Sequence, residues 1–135
     1  MLKGEGGYNF SYSGLKTAVI NYVRNKQQSG EEFSAADVAC SFQCAALDIL
    51  VEKAIEAAKE YSLNVITAGG GVVANGYLRK QLAVACEKNG IKLVLPEKIL
   101  CTDNAAMIGA EGYIRYKNGE FASLSLNAKA RVELK

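Results

Sequence analysis

Apolar and polar residues follow two rhythms along this chain, and each change of rhythm marks an element. A short apolar run, Asn64 to Ala68, has no helical period and stops at Gly69, Gly70 and Gly71. It predicts a buried strand that ends in a tight loop. A helical period then covers Gly76 to Asn89, with Leu78, Leu82, Ala85 and Cys86 inward and Arg79, Lys80, Glu87 and Lys88 outward. Asn89-Gly90 is a stop signal. Ile91 to Leu95 is a second apolar run, closed by Pro96. Strand, helix and strand at this spacing predict a βαβ unit with parallel strands and a right-handed crossover.

The flanking segments extend the pattern. Residues 1–7 are glycine-rich and read as a loose lead-in. Tyr8 to Tyr12 alternates aromatic and polar residues, which predicts a strand with one buried face. Ser11 or Ser13 offers a cap, and Leu15 to Gln28 reads as a helix with Leu15, Ala18, Val19, Tyr22 and Val23 on one face. A polar loop, Gln27 to Glu32, follows. Ser34 to Asp37 resembles a capping box and opens the longest helix, which runs to about Tyr61. Through Val51 that helix is apolar on most sides, which predicts burial in the middle of the domain. From Glu52 onward Lys53, Glu56, Lys59 and Glu60 mark a wet face. After a loop to Cys101, Thr102-Asp103-Asn104 leads into a helix ending near Lys117. Asn118 to Lys135 has no helical period and reads as extended or partly disordered. Three strands and four helices make one layered α/β domain over residues 1–135, without internal repeat or linker. So thin a sheet under so many apolar helices points to a part of something larger.

Composition narrows the class. Of 135 residues half are hydrophobic, 22% are charged and one is proline, as in a globular rather than a disordered chain. A formal net charge of +2 is too small to argue for nucleic acid. The start, Met1-Leu2-Lys3-Gly4, carries no apolar leader, and no apolar run is long enough to span a bilayer, so a cytoplasmic protein is expected. Cys40, Cys44, Cys86 and Cys101 form no C-x-x-C pair and read as small apolar residues in a reducing compartment. Cys40 and Cys44 share a helix face. Histidine is absent, which excludes a histidine-based catalytic base or metal site within this chain alone.

The carboxyl ends of parallel strands are where ligands of such sheets gather. Two loops fall there, Gly69 to Asn75 and Leu100 to Asn104, and both lead into helix N-termini that favour anions. Asp103 is a metal-ligand candidate or a stabiliser of the last helix. Asn75 is a nucleotide-binding candidate or an N-cap. Lys16 is a phosphate contact or an ordinary surface lysine. The glycines fit an anion cradle and an ordinary βα turn equally well, and they match neither G-x-G-x-x-G nor a P-loop.

Four segments in order, N-F-S-Y-S-G-L-K-T-A, A-D-V-A-C-S-F-Q, A-G-G-G-V-V-A-N-G-Y-L-R and L-C-T-D-N-A-A-M-I-G-A-E-G-Y, resemble the C-terminal half of the tRNA threonylcarbamoyladenosine transferase family. That family was formerly called glycoprotease or O-sialoglycoprotein endopeptidase, and the resemblance runs from about Tyr8 to Asn127. It implies a ribonuclease H-like lobe of the actin-like ATPase superfamily. It implies transfer of a threonylcarbamoyl group from its adenylate to N6 of adenosine 37 in tRNA. Asp103 would bind a metal (iron or a zinc-like divalent ion), Asn75 the nucleotide substrate, and Gly69, Gly70 and Gly71 would line the adenylate. A histidine pair that completes the metal site in the family lies outside this chain. The resemblance therefore implies an N-terminal lobe, tRNA and modification-complex proteins as partners, with the isolated chain inactive. An unpaired sheet edge adds self-association. The alternatives are a sugar kinase-like phosphotransferase lobe of the same superfamily and a non-catalytic nucleotide-binding module.

Overall fold

Segments of helical period fold as helices, and the two apolar runs flanking the third helix pair as strands. The computed structural model describes residues 7–128. In chain order it holds α1 (Ser13–Ser29), α2 (Ala35–Glu60), β1 (Val65–Thr67), a 3-10 turn (Gly71–Ala74), α3 (Gly76–Lys88), β2 (Lys92–Val94), a second 3-10 turn (Lys98–Leu100) and α4 (Ala105–Lys117). β1 and β2 run parallel, with Val65 opposite Lys92 and Thr67 opposite Val94. The α/β class and the parallel βαβ unit expected from the sequence are both present.

The core forms where α2 and α3 cross over the sheet. Leu47, Val51, Ile55 and Ala58 of α2 meet Leu78, Leu82 and Cys86 of α3, with Ile91 at the entry to β2. Ile66 and Leu93 complete it from the sheet. Side chains alternate across a strand, so Val65 and Val94 point the other way and are 41% and 44% exposed. The strands are thus covered on one face only, so the expected burial of Asn64 to Ala68 is met on one side of the sheet. Both packed helices lie on the same side, and no described element covers the other.

Three further expectations are corrected. Tyr8 to Tyr12 forms no strand, so the described sheet has two strands rather than three. Its alternation serves a helix instead. Tyr12 Oη donates to the Ala46 carbonyl at 2.6 Å, Tyr8 Oη donates to Glu60, and Lys53 Nζ donates to the Gly7 carbonyl at 2.6 Å. The segment is a strap along α2. Next, neither Ser11 nor Ser13 caps α1, which starts after Tyr12 with no side-chain cap. Last, the N-terminal half of α2 is not central. Its buried residues begin at Leu47, and Phe42 is 43% exposed. Apolar hollows lined by Leu15, Val19, Tyr22, Phe33, Val38 and Phe42 remain open there between α1 and α2. Ser34 does cap α2, accepting from Asp37 N–H at 3.2 Å.

α1 and α4 bury no residue fully. On α4, Met107, Ile108, Tyr113, Ile114 and Tyr116 all stand in solvent. The chain exposes 10612 Å² for 14.4 kDa, against roughly 6,800 Å² for a compact monomer of that mass. Asn118 to Ala128 carries no helix or strand. The lead-in before Gly7 and the tail after Ala128 lie outside the described residues.

Two outcomes follow from this packing. Leu82→Ala, at a site 4% exposed, lowers unfolding free energy by about 2–5 kcal/mol, read as a lower urea midpoint at constant slope. The strap reports on alkaline pH. Glu60 accepts the Tyr8 hydrogen bond and pushes that phenol up to about 12. A folded-state value above that of the unfolded phenol means the contact contributes below about pH 10 and is lost as pH rises further. Phenol titration followed in the near ultraviolet therefore shows a late step to which Tyr8 contributes one phenol, and Tyr8→Phe lowers its amplitude by that one phenol while Tyr12 and Tyr77 keep the rest.

Candidate functional site

Thr67 ends β1, and the chain turns through the glycines into α3. Of the three, Gly70 alone has positive φ, at 89°, where a side chain would be strained. Gly69 and Gly71 have ordinary φ. A Cβ added at any of the three meets no atom within 4 Å, so the loop faces open space. The Gly70 carbonyl accepts from Val73 N–H at 3.0 Å and closes the 3-10 turn. Among the described residues the N–H groups of Gly69, Gly70, Gly71, Val72 and Gly76 have no intramolecular acceptor, which leaves a run of backbone donors open to an anion, Gly70 and Gly76 among them.

Asn75 caps α3. Its Oδ1 accepts from Tyr77 N–H at 2.8 Å and Leu78 N–H at 3.1 Å. Its Nδ2 donates to Gln43 Oε1 at 3.1 Å, which fixes the amide against α2. One Nδ2 hydrogen is left for any ligand. The cap also uses two of the helix-end donors that the sequence reading offered to an anion. Beside it, Tyr77 Oη donates to Asp48 Oδ1 at 2.8 Å, and Cys44 and Asp48 together hold that phenol well above its usual range. Gln43, Cys44 and Asp48 thus form a polar ridge on α2 that seats the start of α3. The sequence reading missed this ridge because it treated that stretch as apolar on most sides.

The second loop leaves β2 through Pro96. Cys101 is buried, and its thiol donates to the Glu97 carbonyl at 3.4 Å. Asn104, not Asp103, caps α4, accepting from Met107 N–H at 3.0 Å while its Nδ2 donates to the Thr102 carbonyl at 2.8 Å. Asp103 is exposed and makes no hydrogen bond or ion pair among the described residues. The stabilising role weighed for Asp103 therefore falls to its neighbour, and its carboxylate is uncommitted. One carboxylate fits a metal as a single oxygen ligand. Among the described residues no three His, Cys, Asp or Glu side chains group to hold an ion, so further ligands would have to come from elsewhere.

Arg79 joins the two loops, contrary to its expected outward position. It donates to the Val73 carbonyl at 3.2 Å, to the Pro96 carbonyl at 2.7 Å and to Cys101 Sγ at 3.6 Å. The two 3-10 turns also touch, and Lys98 Nζ lies 4.0 Å from where a Gly76 Cβ would stand. Positive charge thus gathers beside the glycine loop. Lys16 is exposed on α1, at a hollow that it shares with Phe42 and with Val72 of the turn after the glycines. Of the four cysteines only Cys86 is a plain core residue, 1% exposed. Cys101 is tied to Arg79, Cys44 adjoins Tyr77, and Cys40 is exposed.

The cap can be separated from its second bond. Asn75→Ala costs about 1 kcal/mol of stability. Asn75→Asp, which keeps the acceptor, costs less than half of that in the same urea titration.

Comparison with known proteins identifies a family. A family model described as tRNA N6-adenosine threonylcarbamoyltransferase matches residues 1–110. Proteins of that name from Staphylococcus epidermidis and Staphylococcus saprophyticus are 48% and 47% identical over 127 and 130 residues. One from Clostridium botulinum is 46% identical over 126 residues. These alignments cover 94%, 96% and 93% of this chain but 37%, 38% and 37% of the relatives, so the chain spans little more than a third of their length.

Proposed function

This chain belongs to the tRNA N6-adenosine threonylcarbamoyltransferase family, and on that premise we propose that it forms one wall of the transferase's nucleotide cleft. Residues 1–135 act as a single C-terminal lobe of ribonuclease H-like fold, in the actin-like ATPase superfamily. The substrate is threonylcarbamoyl-adenylate, and the acceptor is N6 of adenosine 37 in a tRNA. The amine attacks the carbamoyl carbon, the bond to the phosphate oxygen breaks, adenylate leaves with the electron pair, and the proton lost from N6 passes to water. The observation that carries this reading is the joining of the two loops through Arg79. One loop carries free backbone donors and the other an uncommitted carboxylate.

Each residue then has a task. The N–H groups of Gly70 and Gly76, with the charge of Arg79 and Lys98 nearby, favour the adenylate phosphate as its charge grows. Asn75 offers its remaining Nδ2 hydrogen to the nucleotide, and Gly69 and Gly71 leave room for it. Asp103 would be one ligand of a divalent metal, iron or zinc-like, completed by histidines of the N-terminal lobe. Bound there, such an ion supplies Lewis-acid stabilisation of phosphate charge. The partners are that lobe, tRNA and proteins of the modification complex, in the cytoplasm, with the open sheet edges available for self-association.

Mixing this chain with the matching N-terminal half and assaying threonylcarbamoyl transfer tests the reading. Activity returns with both halves and is absent with either alone. Asp103→Ala lowers it at least about 100-fold with the urea midpoint unchanged. Full activity of that variant removes Asp103 from the metal site.

A further inference from the structure

Arg79 stands where a cation is disfavoured. It lies in the first turns of α3, whose N-terminus carries partial positive charge. An arginine there that served only solubility would extend into water. Arg79 instead lies half-buried across the gap, with its fork on two carbonyls that belong to different loops. Val73 belongs to the turn that follows the glycines, and Pro96 opens the segment that ends at Asp103. The third contact, Cys101 Sγ, is a buried atom two residues before Asp103. Planar guanidinium geometry lets one side chain hold all three, which an ammonium cannot reproduce.

The structure assigns to Arg79 the role of a positioning residue that locks the glycine loop and the Asp103 loop into one unit. This deepens the proposed transferase reading, and its relevance to catalysis rests on that reading. Arg79 fixes the separation between the phosphate donors of one loop and the carboxylate of the other. Gln43 performs the matching task for Asn75 from the α2 side. With Arg79 removed, each loop keeps its own turn, closed by the Gly70 and Glu97 carbonyls, but the two lose their common frame.

Backbone hydrogen exchange on the full chain separates this role from plain stabilisation. In Arg79→Ala, exchange rises together, at least tenfold, in peptides covering Val72 to Asn75 and Lys98 to Asp103. Peptides of β2 and the C-terminal half of α2 stay unchanged. Arg79→Lys, which keeps the stem and the charge, still frees at least one loop. It carries the test if the alanine variant loosens the whole core. Loosening of neither loop in Arg79→Lys, or of only one loop in a folded Arg79→Ala, overturns the inference. In the reconstituted transferase, Arg79→Ala lowers kcat at least tenfold with KM for tRNA unchanged, and an unchanged kcat likewise overturns it. Coupled exchange beside an inactive wild-type mixture sinks the transferase reading and leaves the coupling standing.

Discussion

The contact of α2 with α3 holds the sheet and both loops of the candidate site in place. Leu47, Val51, Ile55 and Ala58 on one helix meet Leu78, Leu82 and Cys86 on the other, and the two strands lie beneath them. Hydrophobic burial concentrates there because it is the one place where two apolar stripes and a sheet face coincide. Each loop of the candidate site is fastened to that contact. Asn75 caps α3 and bonds Gln43 of α2, Tyr77 reaches Asp48 of α2, and Arg79 extends from α3 to the second loop. A site built on loops gains its precision from such ties to rigid elements.

Polar residues placed inside an apolar context do the fastening. Gln43, Cys44 and Asp48 interrupt the most hydrophobic stretch of α2, and each meets the start of α3. A purely apolar α2 would pack as well but would leave the Asn75 Nδ2 without its partner on that helix, held by its cap bonds alone. The thiol of Cys101 plays the same part in the second loop, bridging the Glu97 carbonyl and Arg79. Stability and site geometry are thus served by different residues of the same helices.

Local signals were readable in the sequence, and non-local ones were not. The βαβ unit followed from period and punctuation, because Gly69 to Gly71, Asn89-Gly90 and Pro96 mark its joints. Helix ends at Ser34 and Asn75 followed from capping chemistry. The strap from Tyr8 to Tyr12 was misread as a strand since alternation specifies one wet and one dry face, not the partner that supplies the dry one. The exposure of Val65 and Val94 was hidden for a related reason: an apolar run does not reveal whether a second layer exists to cover it. Arg79 was placed outward because helical phase gives a direction, whereas its acceptors lie in segments distant in sequence. The loops were found by position and motif, yet the spare carboxylate of Asp103 became visible only once Asn104 took the cap.

α4 stands with thirteen residues and no buried side chain. Peptides of that length are marginal helices in water, even with good composition. Its helicity is therefore conditional, and any surface that covered Met107, Ile108, Tyr113 and Ile114 would also supply free energy that keeps it wound. Since Asn104 caps this helix and Asp103 directly precedes the cap, winding and unwinding of α4 are felt in the Asp103 loop.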